Sequence, residues 1–388
     1  MIQRTLSKTI VSLSKTFPVV SVMGPRQSGK TTLVKSLFPK ADYISFEDPD
    51  SRALAEKDPR GFLKQHDKML IIDEVQRVPH IFSYIQTHAD EKRKAGQYIF
   101  TGSQNYLLMQ NVTQSLAGRV AIVKLFPLSM KELTDAGYAI GKLEDVLFKG
   151  FYPDVFNTKS NPAHLYSSYI ETYLQRDVRQ IKNLSNLSAF QRFLKLVAAR
   201  AGQILNLSSL GNDCGITHIT AREWMSVLES SFIVHLLPPY FENFNKRIVK
   251  SPKIFFYDTG LLCNLLGITE AKGLRNHTHI GALVENLVFS ELAKAAFNKG
   301  LNPDLYFWRD KSGNEIDFLL RKSLYKILIE VKAGHTVNSD FFKGLSYYNK
   351  ISKDKKNRYY LIYGGEKAQL HQGVKILNWK NTDEITGK

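Results

Sequence analysis

The sequence predicts an α/β protein in three parts: an N-terminal domain over 1–160, a mainly helical middle over 161–270 and a C-terminal α/β domain over 271–388. Three observations support this prediction. Apolar strand-like runs alternate with helical patterns before residue 130, helical spacing dominates 165–230, and strand pairs surround a short turn after residue 304. A length of 388 residues suits two or three domains, and 43% hydrophobic with 23% charged residues is ordinary globular usage.

Composition also excludes several classes of protein. Cys214 and Cys263 are the two cysteines, too few for a disulfide framework or a four-cysteine zinc site. The beginning of the chain does not have the pattern of a signal peptide. No apolar stretch reaches the roughly 18–20 residues of a membrane span. We therefore expect a cytoplasmic protein that does not cross a membrane.

The charge balance points to polyanionic partners. The chain has 53 Lys and Arg against 36 Asp and Glu, a net charge of +17. Such a surplus favours nucleic acid, here DNA, as a partner. The alternative is a loosely basic surface that only keeps the protein soluble.

The first motif is a phosphate-binding loop between a predicted buried strand over 18–23 and a predicted helix over 31–38. Gly24, Gly29, Lys30 and Thr31 fit the pattern G-x-x-x-x-G-K-[ST]. Glycines let backbone N–H groups face phosphate oxygens, Lys30 reaches the outer phosphates, and the Thr31 hydroxyl can hold Mg²⁺. The predicted ATP-binding residues are Gly24, Pro25, Arg26, Gln27, Ser28, Gly29, Lys30, Thr31 and Thr32.

A second strand carries the acids that hydrolysis needs. Four apolar residues over 69–72 are followed directly by Asp73 and Glu74. This Walker B pattern predicts that Asp73 holds Mg²⁺ and that Glu74 polarises the attacking water. Two adjacent surface acids are the alternative interpretation.

These segments together resemble one protein family. GPRQSGKTTL, LIIDEVQRVP, FTGS, LAGR and FPLSMKEL are similar to prokaryotic AAA-superfamily ATPases fused to a C-terminal domain of unknown function. GFYPDV at 150–155, YLQRDV at 173–178 and FYDTGLLCNLLGI at 256–268 extend the resemblance over nearly the whole chain. It implies a P-loop AAA-type ATPase domain that uses ATP and Mg²⁺.

The resemblance also implies a polar residue that contacts the γ-phosphate at the end of a third strand, which begins near Gln97. Ser103 and Gln104 are the candidates. Arg119 of LAGRV is predicted to stabilise transition-state charge, in its own subunit or across an interface between subunits. The alternative is that Arg119 pairs with a carboxylate at a helix end.

The middle part has the order of a winged helix-turn-helix. Two helices over 165–200 precede a short helix near 208–213, a turn at Gly215, a second helix over 220–230 and a strand pair from Phe232. On this interpretation the second helix enters the DNA major groove. The predicted DNA contacts are His218, Thr220, Arg222 and Glu223, with Arg247, Lys250 and Lys253 as phosphate contacts. The alternative is a module that packs against neighbours or binds protein.

In the C-terminal part, a helix from Gly281 carries Glu285 and Glu291 on its apolar side. Strands then surround the turn KSGN, and a third strand ends in Glu330, Val331 and Lys332. Because side chains alternate along a strand, Glu330 and Lys332 share one face.

This pattern resembles the core of PD-(D/E)xK nucleases, which implies a restriction-endonuclease-like fold. Asp317 and Glu330 would ligate Mg²⁺, Lys332 would orient or activate water, and Glu285 would complete the site. Asn314, Glu315 and Ile316 stand before Asp317 where the motif has a proline, which leaves the ligand in place. The alternative is structural ion pairing without cleavage.

These observations predict an ATP-hydrolysing protein that couples its nucleotide state to DNA binding, with Mg²⁺-dependent DNA cleavage as an output. The alternative is a nucleotide-switched regulatory or scaffold protein whose nuclease-like domain binds a protein partner. A small-molecule kinase would share the P-loop but would not need the other motifs. If Arg119 acts across an interface, the protein is a homo-oligomer.

Overall fold

The computed structural model describes residues 2–66, 68–92, 94–103, 116–158, 160–174, 186–241 and 249–387. Gln104 and Arg247 lie outside these residues. The chain divides into two compact units. The first contains Met1–Leu128, Ser230–Phe232 and Ala296–Leu301, and the second contains Ser129–Glu229, Ile233–Ala295 and Asn302–Lys388. The predicted middle and C-terminal parts thus fall largely in one unit, and the first unit's main segment ends before the predicted boundary at residue 160.

In the part of the chain that the structure describes, five parallel strands form the sheet of the first unit, in the order β2-β3-β4-β1-β5. The strands are β1 (Val19–Met23), β2 (Asp42–Ser45), β3 (Leu70–Asp73), β4 (Tyr98–Gly102) and β5 (Val120–Lys124). The helices are α1 (Ser7–Ser14), α2 (Lys30–Leu37), α3 (Pro49–Lys57), α4 (Pro59–Lys64) and α5 (Ile81–Lys92), with a 3₁₀ turn at Val75–Arg77.

Strand β4 lies between β1 and β3 and pairs with both. Met23 is opposite Gly102, and Asp73 is opposite Thr101. Because all the strands are parallel, their carboxyl ends meet at one edge of the sheet. The loop after β1, the acids that end β3 and Ser103 after β4 therefore lie at the same edge, where ligands of open α/β sheets bind.

The helices of the second unit are α6 (Met130–Asp135), α7 (Leu143–Lys149), α8 (Pro153–Asn157), α9 (Pro162–Tyr169), α10 (Leu187–Ala199), α11 (Leu207–Cys214), α12 (His218–Ser230), α13 (Thr259–Leu265), α14 (Ile280–Phe297), α15 (Lys343–Ser352) and α16 (Asp383–Thr386). A π-helical turn covers Ile170–Leu174, and 3₁₀ turns cover Leu274–Asn276, Ser339–Phe342 and Trp379–Asn381. None of the helices in the described ranges is long and apolar enough to span a membrane.

Helices α10, α11 and α12 are followed by a strand pair, β6 (Val234–Leu237) with β7 (Lys253–Phe256). Gly215 ends α11 in the left-handed conformation, at φ +70°, which is the usual glycine C-cap. Trp224 of α12 packs edge-on against Phe190 and Phe193 of α10, with ring centroids 5.3 and 5.4 Å apart. This aromatic contact holds α12 against α10.

The larger sheet of the second unit contains six of the described strands, in the order β12-β13-β11-β10-β9-β8. They are β8 (Leu305–Arg309), β9 (Glu315–Arg321), β10 (Lys326–Lys332), β11 (Arg358–Tyr363), β12 (Gln369–His371) and β13 (Val374–Asn378). Strands β8, β9 and β10 are antiparallel neighbours, whereas β10, β11 and β13 run parallel. Tyr348 of α15 and Trp308 of β8 are fully buried in the core of this sheet.

The segments GFYPDV and FYDTGLL pack against each other inside the second unit. Asp258 accepts hydrogen bonds from the backbone of Phe151, at 2.7 Å, and of Leu261, at 2.8 Å. A Cβ added at Gly260 would lie 2.4 Å from the Tyr166 ring. Packing therefore explains why these positions carry an aspartate and a glycine.

Candidate functional sites

The loop between β1 and α2 has the backbone of an anion-binding cradle. Gln27 and Gly29 adopt left-handed conformations, at φ +56° and +88°, and such turns aim successive N–H groups into a concavity. A Cβ added at Gly24 would lie 2.0 Å from the carbonyl oxygen of Leu125, so only glycine fits there. The Lys30 ammonium donates to the carbonyls of Gly24, at 2.9 Å, and Pro25, at 2.7 Å, and so lies over the loop.

Asp73 gathers three hydroxyl groups at the end of β3. Its Oδ2 accepts from Thr31 Oγ1 at 3.1 Å and from the Tyr43 hydroxyl at 3.0 Å, and its Oδ1 accepts from Thr101. Burial, and then the Asp73 carboxylate, raise the pKa of Tyr43 to about 12, which keeps its hydroxyl a donor. The predicted Mg²⁺ pair, Thr31 and Asp73, is therefore in direct contact, and its oxygen atoms suit that ion.

Glu74 follows β3 in a left-handed conformation, at φ +53°, which costs on the order of 1 kcal/mol or more in a residue other than glycine. Its Oε2 accepts from Gln76 Nε2 at 2.5 Å and from Ser103 Oγ at 3.3 Å. Burial raises the pKa of Glu74, and the Lys30 charge partly opposes that effect. The predicted base and the predicted sensor Ser103 are thus hydrogen-bonded to each other.

Arg119 lies at the opposite edge of the same sheet. Its carbonyl accepts from Val19, the first residue of β1, whereas the phosphate-binding loop follows the last residue of β1. Four residue steps separate the two ends, about 13 Å at the rise of a strand. Arg119 Nε and Nη2 instead donate to Asp90 Oδ1 at 2.5 Å and Oδ2 at 2.9 Å. Arg119 thus pairs with a carboxylate, which is the alternative interpretation, and its contact with nucleotide, in its own subunit or across an interface, stays a prediction.

Arg4 is a residue of this site that the motifs did not indicate. Its side chain is 7% exposed. Nη1 donates to the carbonyl of Ser28, inside the phosphate-binding loop, at 2.8 Å, and Nη2 donates to the carbonyl of Phe126 at 2.5 Å. Its neighbours in the sequence, Gln3 and Thr5, are polar, so no local pattern indicates that Arg4 is buried or what it contacts.

In the second unit, Asp317, Glu330 and Lys332 form a cluster. The ammonium of Lys332 lies 2.6 Å from Glu330 Oε1 and 3.9 Å from Asp317 Oδ2. In the antiparallel pair β9 and β10, Phe318 is opposite Ile329, so the next pair along the two strands is Asp317 opposite Glu330. Glu330 Oε2 is buried, and no described residue hydrogen-bonds to it. A buried acceptor without a donor is costly and favours a bound cation or water.

Lys253 corrects the prediction of a surface phosphate contact. It is 3% exposed in β7, forms an ion pair with Glu315 and lies 4.0 Å from Glu285 Oε2. Burial lowers its pKa, but the carboxylates of Glu285, Asp317 and Glu315 raise it more, and the net shift is upward. The sequence interpretation missed Lys253 and Glu315 as members of this cluster, although a lysine inside the apolar run PKIFF is a signal of a buried pair.

Burial, and then the Asp317 charge, raise the pKa of both Glu285 and Glu330 to about 8. In the described ranges, no three His, Cys, Asp or Glu side chains are arranged to hold a metal ion. The predicted three-carboxylate set is therefore not formed, because lysines pair with the acids. Asp317 and Glu330 still fit Mg²⁺, which often takes one or two protein carboxylates together with water and phosphate.

Other predicted residues lie apart from these clusters. His218, Arg222 and Glu223 are exposed on α12, Thr220 is half-buried, and Lys250 is exposed. Glu291 is buried and pairs with Lys294 at 3.2 Å. Glu291 therefore serves packing in the second unit.

Comparisons with known proteins agree with the first of these sites. Residues 16–134 match the AAA domain family, 140–272 match a domain of unknown function (DUF8612), and 280–381 match another (DUF4143). An uncharacterized protein of Mycobacterium tuberculosis is 32% identical over 324 residues, which cover 82% of this chain and 71% of that protein. One of Methanocaldococcus jannaschii is 23% identical over 370 residues, or 86% and 79% of the two chains.

Among solved structures, a Walker-type ATPase of Pyrococcus abyssi covers 68% of this chain and 96% of its own, at 13% identity and a TM-score of 0.47. The RuvB Holliday junction branch migration motor of Thermotoga maritima covers 60% of this chain and 87% of its own, at 16% identity and a TM-score of 0.31. The chain belongs to the same family as the mycobacterial protein, with an N-terminal AAA-type P-loop ATPase domain and a C-terminal DUF4143 domain.

Proposed function

We propose that this protein hydrolyses ATP and that its nucleotide state controls how the second unit engages DNA. One observation carries the first part. Lys30, Thr31, Asp73, Glu74 and Ser103 meet at the carboxyl edge of a single parallel sheet. That arrangement unites phosphate binding, metal binding and a base.

Each residue has a distinct task in hydrolysis. Lys30 exchanges its two loop carbonyls for phosphate oxygens when ATP binds. Thr31 and Asp73 would hold Mg²⁺, which would supply positive charge to the phosphates. Glu74 accepts the proton of the attacking water, and burial raises its pKa, which makes the carboxylate a stronger base. Ser103 holds the Glu74 carboxylate and can report loss of the γ-phosphate through that bond.

The test is phosphate release by the wild type and Glu74→Gln, with Glu56→Gln as a control at an exposed acid of α3 in the same unit. Loss of the base should lower kcat by about 10²- to 10⁴-fold while a fluorescent ATP analogue still binds. Glu56→Gln should hydrolyse ATP like the wild type. Undiminished hydrolysis by Glu74→Gln would exclude Glu74 as the base.

Adding duplex DNA tests the coupling. If DNA stimulates phosphate release, and this stimulation falls as salt rises from about 50 to about 200 mM, the result supports a DNA-coupled ATPase. The stimulation should fall because contacts with phosphate release counterions, and added salt opposes that release. Hydrolysis that is indifferent to DNA supports the regulatory alternative. Arg222→Gln on the exposed side of α12 then tests whether the winged-helix-like segment carries the contact.

DNA cleavage is the proposed output of the cluster in the second unit. The orphaned Glu330 Oε2 beside Lys332 and Asp317 supports a hydrated Mg²⁺ there. Lys332 would orient a water for attack on phosphorus, Glu285 of α14 would accept the proton of that water, and the 3′ or 5′ oxygen would leave and take up a proton from solvent. Supercoiled DNA should be nicked with Mg²⁺ by the wild type and by Asp304→Asn, an exposed control, but not by Asp317→Asn.

A specific observation favours the second candidate, a nucleotide-switched scaffold. Lys253 and Lys332 already pair with the acids of the cluster, which is how a purely structural buried network is satisfied. No cleavage by the wild type under any nucleotide, together with ATP-dependent capture of a protein partner, would establish that function instead.

A further inference from the structure

A cleft of about 1000 Å³ opens in the second unit, apart from the residues assigned above. It lies where β10, β11 and β13 end: His335 follows β10, Gly364 follows β11, and Asn378 is the last residue of β13. These three strands are parallel, so their carboxyl ends meet at one edge. In open α/β sheets that edge is the usual place for a ligand.

Gly364 and Gly365 line the cleft with backbone and no side chain. The N–H of Gly364 donates to the carbonyls of Lys332, at 3.2 Å, and Gly334, at 3.1 Å. A Cβ at Gly364 would lie 2.4 Å from the Ala333 carbonyl oxygen, and one at Gly365 would lie 2.6 Å from that of His335. Packing within the same unit therefore requires glycine at both positions, which fixes the path of the backbone at this edge of the sheet.

The walls carry positive side chains, most of which form no ion pair or hydrogen bond with the described residues. Lys and Arg outnumber Asp and Glu by five to three among the lining residues. Four of the five cations have no side-chain partner among the described residues. Buried cations of the same unit, such as Lys253 and Lys294, are paired. The cations of the cleft are Lys142, Lys272, Arg275, Lys367 and Lys380.

The aromatic residues of the cleft narrow the class of ligand. Tyr363 is 4% exposed and Trp379 2% exposed, so neither offers a ring face for a base to stack on. Proteins that bind single strands rely on such stacking. His335 is the exposed aromatic ring of the lining, and one imidazole is a small stacking surface beside five cations. The cations therefore fit the phosphodiester backbone of a duplex better than a stacked single strand.

We propose that this cleft binds the phosphodiester backbone of duplex DNA; the inference rests on the proposed DNA-coupled function and deepens it. His335 lies three residues beyond Lys332, at most about 11 Å along the chain, or about three base-pair steps of 3.4 Å along a duplex. A strand held in the cleft therefore has a neighbouring phosphate within reach of Lys332 and Glu330. The cleft sets the position of the backbone and carries no sequence preference.

The experiment measures fluorescence anisotropy of a labelled 20-base-pair duplex with the full chain at several salt concentrations between about 50 and 200 mM. The variant combines Lys142→Gln, Arg275→Gln and Lys367→Gln. The control combines Lys350→Gln, Lys355→Gln and Lys356→Gln, which removes the same charge from the exposed lysine tract of the same unit.

Each phosphate contact contributes about 0.9 to the slope of log K against log salt, so the cleft variant should lower that slope by about 2 to 3 and weaken binding at least about 10-fold. The control should keep the wild-type slope apart from a small uniform effect of net charge. Both variants should keep wild-type phosphate release and melting temperature, because these side chains have no partner among the residues that the structure describes.

The outcomes separate the two levels of the proposal. A cleft variant that binds like the wild type overturns the cleft assignment and leaves the DNA-coupled function standing. If the control loses the slope instead, the lysine tract is the contact and the assignment is wrong. A wild type that binds no duplex at low salt overturns the proposed DNA function together with this inference.

Discussion

Arg4→Gln should weaken both the first unit and its affinity for ATP. The guanidinium connects the segment before α1 to the carbonyl of Ser28 in the phosphate-binding loop and to that of Phe126 beyond β5. Ser28 is 0% and Phe126 2% exposed, so water cannot replace the lost donors.

The magnitude follows from these two bonds. A buried acceptor left without a donor costs about 1–3 kcal/mol, so the two carbonyls together cost about 2–4 kcal/mol of unfolding free energy, allowing for partial repair by the glutamine amide. If about 1.4 kcal/mol of that loss falls on the shape of the loop, ATP binds about 10-fold more weakly.

The assay combines thermal unfolding with equilibrium binding of a fluorescent ATP analogue at a temperature where every variant is folded. Arg4→Lys keeps one charged donor and should recover part of the affinity. Lys8→Gln, at an exposed position of α1, should behave like the wild type. An Arg4→Gln protein with wild-type affinity for ATP would refute the positioning role, even if its melting temperature fell.

Three further predictions concern other residues. The pKa of Glu330 is raised to about 8 in the folded protein, so the wild type loses stability as pH rises from the unfolded value of 4.5 to about 8. Glu330→Gln has no such ionisation, so without metal its melting temperature minus that of the wild type should increase over this pH range and stay constant above it. A difference that does not change with pH would contradict the raised pKa. Gly260→Ala should destabilise the protein by on the order of 1–3 kcal/mol, measured by denaturant unfolding, because its Cβ would lie 2.4 Å from the Tyr166 ring. Arg119→Gln should leave phosphate release by a dilute monomer unchanged, since Arg119 pairs with Asp90 far from the loop; a loss only at high protein concentration would show that Arg119 acts across an interface.

The motifs whose chemistry is local in the chain could be predicted well. The phosphate-binding loop needs strand, turn and helix in direct succession, so Gly24, Lys30 and Thr31 can be identified from spacing alone. The same holds for Glu330 and Lys332, which share a face because side chains alternate along a strand. Their contact at 2.6 Å agrees with that rule.

Contacts between distant segments could not be predicted in this way. Arg4 and Ser28 are 24 residues apart, and Lys253 and Glu315 are farther still. Lys253 looked like a surface cation because the sequence shows its charge but not its burial. The position of Arg119 could not be predicted for the same reason. Its motif suggested a contact with nucleotide, but Arg119 lies beside the first residue of β1, whereas the phosphate-binding loop follows the last.

Local sequence is enough to identify the ATP-binding loop, the acids Asp73 and Glu74, and the alternation that pairs Glu330 with Lys332, because each depends on residues within one strand, turn or helix. The residues that surround them depend on the three-dimensional packing of the chain. The order β2-β3-β4-β1-β5 brings Ser103 to Glu74 and separates Arg119 from the loop. Strand order and burial arise from packing between distant segments, and no local sequence pattern predicts that packing.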